Sequence, residues 1–65
     1  MVVAYPKLVK MLGNKHFCVE MFELENGHYF IRTESGNEAE LSESIEDFNT
    51  ASFLFDLRVQ ELEGH

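Results

Sequence analysis

Short apolar runs separated by turn residues fill the first two thirds of the chain, and beyond Ser44 the apolar positions move to spacings of three and four. The short runs are the pattern of strands, and the longer period is that of a helix. Residues 7–12 (KLVKML) read as a first strand, with Pro6 immediately before it. Proline has no backbone N–H to give to a ladder, so this strand belongs at a sheet edge. Gly13-Asn14 turns the chain into a second strand over residues 16–25, and Asn26-Gly27 turns it into a third from residue 28. Ser35-Gly36-Asn37 then leads to a short fourth over residues 38–43, where Ala39 and Leu41 alternate with acids. The expected fold class is α+β: an antiparallel meander of three to four strands followed by one C-terminal α-helix packed on the sheet, in a single domain of residues 1–65.

Asn26-Gly27 is the strongest local signal, because a two-residue type I′ loop needs positive φ at both positions and this pair tolerates it best. Such a loop sets Glu25 against His28, Leu24 against Tyr29, Phe22 against Ile31 and Glu20 against Thr33. Side chains alternate between faces. One face then collects Cys18, Phe22, Leu24, Tyr29 and Ile31, and the other Phe17, Val19, Met21 and Phe30 beside Glu23 and Arg32. Both faces are substantially apolar, so each calls for a cover. One helix shields one of them.

In the C-terminal third, Ile45, Phe48, Ser52, Phe55, Val59 and Leu62 follow spacings of three and four and fall along one side of a helix. Ser44 is the favoured N-cap, with Glu46 and Asp47 in the first turn where the helix dipole favours negative charge, and Asn49 is the competing start. Gly64 marks the end. At about 100° per residue, Phe53 and Leu57 lie nearly opposite Phe55 and Leu62, with Leu54 between them and the main stripe. An apolar arc this wide predicts contacts on two sides of the helix.

Length and charge sharpen this picture. A chain of 65 residues buries about 60% of the surface its unfolded form exposes, so its core is thin and self-association is one source of added stability. The single cysteine, Cys18, excludes an internal disulfide and points to a reducing, cytoplasmic setting. No apolar run reaches membrane-spanning length, and the start has neither the look of a signal peptide nor that of a transmembrane segment. Residues 1–19 carry Lys7, Lys10 and Lys15 and no acid, a charge of +3. Residues 20–65 carry all twelve acids against Arg32 and Arg58, a charge of −10, which gives the net −7. This layout argues against nucleic-acid binding, which needs clustered cations, and matches a basic protein partner. The same acids also serve solubility.

Candidate chemistry is sparse. His16, Cys18, His28 and the terminal His65 are the soft-metal candidates, but none has paired zinc spacing, and the expected hairpin puts His28 about 20 Å from Cys18. His16 and Cys18 stand side by side on one strand without a third group to orient the imidazole, so a nucleophile pair is not expected. The stretch ESGNEAELSE over residues 34–43 is a distant echo of a calcium loop. Neither a cofactor nor a metal is expected.

The sequence therefore predicts a non-enzymatic, acidic protein-interaction module. Its expected state is a homodimer, with interface residues Phe17, Val19, Met21, Phe30, Phe53 and Leu57, since apolar surface left uncovered on a small protein marks an interface and twofold pairing is its simplest occupant. One alternative is a phage-type inhibitor or nucleic-acid mimic that blocks a basic site with carboxylates arrayed at phosphate spacing. Another is a small-ligand-binding or catalytic domain with a pocket around Tyr29 and Cys18 or at the dimer interface.

Overall fold

The computed structural model describes residues 4–64. Strands β1 (Lys7–Gly13), β2 (Phe17–Glu23), β3 (Tyr29–Ser35) and β4 (Glu38–Leu41) form one antiparallel sheet in the order β1-β2-β3-β4. A single helix, α1 (Phe48–Glu63), follows and packs on the sheet across β2 and β3. This is the expected meander, with the fourth strand present and β1, after Pro6, at the edge.

The central hairpin departs from expectation by one residue. Its partners are Phe22 with Phe30, Met21 with Ile31, Glu20 with Arg32 and Val19 with Thr33. The loop holds three residues: the Gly27 N–H donates to the Leu24 carbonyl at 3.0 Å and the Leu24 N–H to the His28 carbonyl at 2.8 Å. Gly27 has φ 88°, whereas no non-glycine residue described has positive φ, so Asn26 is not left-handed. The turn is therefore type I over Glu25-Asn26, closed by left-handed Gly27, and the Asn26 Oδ1 accepts the His28 N–H at 3.0 Å. A slip of one residue moves one strand's side chains to the opposite face. Tyr29 and Ile31 thus join Phe17, Val19 and Met21, while Phe30 and Arg32 join Cys18, Glu20 and Phe22.

The first of these faces is the one α1 covers. Phe17, Val19, Met21, Ile31, Ile45, Ala51, Phe55 and Val59 form the buried core, with Tyr29 and Leu62 packed against it. Pairing carries the face onto β1, where a bulge between Leu8 and Lys10 turns Lys10 toward the helix beside Met21. Its Nζ stands 4.8 Å from the Phe55 ring centroid and 3.4 Å from Asp56 Oδ1. A cation over an aromatic face contributes about 0.5–1 kcal/mol at an exposed site.

The helix starts later than Ser44, near the competing Asn49. Ile45 exchanges two backbone hydrogen bonds with Tyr29, at 2.7 and 2.8 Å, so residues 44–46 extend the sheet contact instead of coiling. Ser44 Oγ lies 2.9 Å from His28 Nδ1. Asp47 is the N-cap, and its carboxylate accepts the Thr50 N–H and hydroxyl, both at 2.8 Å. Ile45 therefore reaches the core from a bridge, and Ala51 rather than Ser52 occupies the tightest place under the helix.

Two outcomes test this packing. Phe55, 1% exposed, and Phe53, 62% exposed, are two residues apart on one helix. Phe55→Ala is expected to cost about 3–5 kcal/mol in urea unfolding. Phe53→Ala should stay within about 0.5 kcal/mol of the parent, and equal costs would mean that α1 is rotated from the orientation described. The second concerns the cap. The backbone hydrogen bond from Thr50, then its hydroxyl, hold the Asp47 carboxyl below the usual aspartate value. A depressed folded value contributes stability above the unfolded pKa of about 3.9 that disappears as pH falls through the folded value. Asp47→Ala should thus lower the thermal midpoint at neutral pH, with the gap from the parent closing in the acid range below about pH 3.9.

Candidate interaction surfaces

Among the described residues, two apolar surfaces remain once α1 has covered its face. The first is the open side of the sheet. Register aligns Leu8, Phe22 and Phe30 in one row across β1, β2 and β3, and the Phe22 and Phe30 rings stack with centroids 5.1 Å apart and planes 17° from parallel. The next row runs Met11, Glu20, Arg32, Leu41, in which Met11 and Leu41 are exposed. Arg32 lies between two carboxylates, 3.0 Å from Glu20 Oε1 and 2.6 Å from Glu34 Oε2. These hydrogen bonds, Glu34's first, raise the guanidinium pKa above its ordinary value. The row of Leu8, Phe22 and Phe30 therefore stands beside an ion-paired strip.

The second surface is a trough between α1 and β4. It has a volume of about 230 Å³ at one end, where Ile31, Leu54 and Leu57 supply apolar lining. A second depression continues from it along the same helix flank between Glu38, Glu40 and Glu61. Arg58 spans the middle: its Nε donates to Thr33 Oγ1 at 3.2 Å, its Nη2 pairs with Glu40, and its Nη1 lies 3.6 Å from Glu61 Oε2. The trough exists because the helix packs over β2 and β3, which leaves the helix side of the short outer strand open.

The six residues expected at an interface divide between these places. Phe17, Val19 and Met21 lie beneath the chain's own helix and are buried, so they offer no free surface; the register slip that gathers Ile31 and Tyr29 around them is the reason. Phe30 stands on the open face, Leu57 lines the trough, and Phe53 lies on the exposed side of α1. Leu8, Met11, Leu41 and Leu54 were not anticipated there. For the β1 pair the missing signal was the bulge, since plain alternation along KLVKML does not tell which residues turn outward.

The pocket expected around Tyr29 and Cys18 is not assembled, because Tyr29 faces α1 and Cys18 belongs to the opposite side of the sheet. His16 precedes β2 at an exposed turn, where its N–H donates to Asn14 Oδ1 at 2.7 Å, and His28 is engaged with Ser44. His65 lies outside the described residues. Among the described residues no three His, Cys, Asp or Glu side chains are grouped to hold a metal ion, and no helix is long and apolar enough to cross a membrane.

The open face carries its own test. Phe22 and Phe30 truncated singly and together should show a coupling of about 0.5–1.5 kcal/mol in a double-mutant cycle, the range for stacked rings. A coupling of zero would restore the two-residue loop, which puts these rings on opposite faces. Comparison of the chain with protein-family models, curated proteins and solved structures finds no match.

Proposed function

We propose that this chain is a non-enzymatic protein-interaction module that pairs with a second copy through the open face of its sheet and engages a protein partner through apolar and acidic surface elsewhere. The observation that carries the reading is the row of exposed Leu8 and half-buried, stacked Phe22 and Phe30, with exposed Met11 beside it, on the side of the sheet that α1 leaves open among the described residues. Contiguous exposed apolar area of this kind marks contact surfaces on small proteins. Twofold pairing suits it, because one self-complementary patch then covers both copies at once. The ion-paired Glu20, Arg32 and Glu34 fit the rim of such a contact, where they fix orientation and add little affinity. A reducing, cytoplasmic compartment goes with the single cysteine.

Both edges of the sheet oppose pairing side by side. The β1 edge carries Lys7 and Lys10 and the β4 edge Glu38 and Glu40, so either edge meets its own charge in a twofold partner. Face-to-face contact avoids this. Sedimentation equilibrium should accordingly give a dimer for the parent chain. Phe30→Glu, on the open face and outside the core, should give a folded monomer with the same far-ultraviolet circular dichroism. A parent chain that stays monomeric at millimolar concentration would falsify the pairing.

A further inference from the structure

We propose that the trough between α1 and β4 docks a basic, extended segment of another protein, added antiparallel to β4 as a fifth strand. This rests on the reading of the chain as an interaction module but uses a different surface from the dimer face. Three features of the trough support it. The first is shape. The sheet stops at β4, and on its helix side Leu54 and Leu57, each 39% exposed, line a space beside Ile31 and Ser42 into which side chains of a fifth strand would lean.

The second is hydrogen bonding. The Ser42 N–H donates to the Ile31 carbonyl at 2.8 Å and the Ile31 N–H to Ser42 Oγ at 2.8 Å, so the groups at Ser42 turn toward β3. Alternation along an antiparallel strand then turns those of Glu40 inward too, and those of Ala39 and Leu41 outward. The outward N–H and C=O groups are a template for strand addition.

The third is charge. Side chains of an added strand that face α1 meet apolar lining near Ser42, then Glu40, then Glu38, with Glu61 above them. Arg58 is already held by Glu40, Glu61 and Thr33, so the acidic half retains an excess of negative charge. An antiparallel occupant therefore carries, on alternate residues, an apolar side chain followed by lysine or arginine. A second copy does not fit this description. Its β4 would bring Glu38 and Glu40 against the same residues, like charges in facing positions. On its β1, Lys10 is committed to Phe55 and Asp56.

The probe is the peptide Ac-Leu-Thr-Leu-Thr-Lys-Thr-Arg-Thr-NH2, titrated into the full chain labelled with nitrogen-15. Two controls are the same peptide with glutamate for both basic residues and one N-methylated at the threonine amides that face β4. The expected result is saturable displacement of the Ala39, Leu41, Leu54 and Leu57 amide signals, with both controls at least about tenfold weaker, a loss of about 1.4 kcal/mol. Leu57→Ser and Glu38→Lys should each weaken the peptide to a similar degree while leaving the amide spectrum dispersed. No displacement at millimolar peptide overturns the proposal, as do equal binding by either control, displacement centred on Phe22 and Phe30, or shifts at these four residues that follow the chain's own concentration. Because Phe30→Glu leaves the trough intact, that variant should bind the peptide as the parent does. Loss of pairing and loss of docking are therefore separate results.

Discussion

The left-handed Gly27 that closes the β2–β3 loop sets the register on which every other contact depends. Strand side chains have a period of two, so a loop of three residues and a loop of two deliver opposite faces of β3 to the helix. With three, Ile31 and Tyr29 arrive beside Val19 and Met21, and the helix finds one continuous apolar floor. With two, Arg32 and Phe30 would lie there instead, and a guanidinium would have to be buried under Phe55. Burying a charge without a partner costs several kcal/mol, more than a domain of this size can spare from a total of about 5–15.

The same register positions the few cations. Lys10, Arg32 and Arg58 each lie against carboxylates: Lys10 clamps one side of α1 to β1, Arg58 clamps the other to β3 and β4, and Arg32 spans the open face. Exposed pairs of this kind contribute about 0–1 kcal/mol each, so their role is mainly one of placement. Thr33, the one polar residue buried among the described residues, accepts the Arg58 Nε–H, so its hydroxyl oxygen has a partner. The helix is thus held from two flanks by charge and from below by Phe55, Ala51 and Val59.

Element order, the edge position of β1 and the helical stripe through Phe55, Val59 and Leu62 were legible in the sequence, because turn residues and the change of period mark them directly. The loop length was not. Asn-Gly suits a type I′ turn, but it equally serves a type I turn with glycine in the left-handed place, and only the packing of Ile31 against the helix discriminates them. The helix start was obscured in a similar way: Ser44 looks like a cap, yet Ile45 gains more from bridging Tyr29, and the cap passes to Asp47. Of the expected contact residues, Phe53 and Leu57 are exposed because of their place around α1, Phe30 is half-buried on the open face, and Phe17, Val19 and Met21 are buried under the helix; the β2–β3 register accounts only for the split between Phe30 and these three.

Strand β3 joins the two apolar surfaces. Phe30 lies in the aromatic row of the open face, and its neighbour Ile31 lines the trough on the other side. Adjacent residues of a strand point in opposite directions, so a load on either surface bears on the same few backbone bonds. Those bonds are well supported, since β3 pairs with β2 along its whole length and is held at one end by the Ile45 bridge. Beyond β3 the sheet thins to the four exposed residues of β4, secured by the Ser42 bonds and the Arg58 to Glu40 pair. Local stability falls toward such an edge, where few apolar contacts back the ladder. The trough is accordingly built on the adjustable outer strand, while the stacked Phe22 and Phe30 of the open face stand on the two central strands. A segment entering the trough can shift β4 without disturbing the register, which the Gly27 loop and the β2–β3 ladder hold.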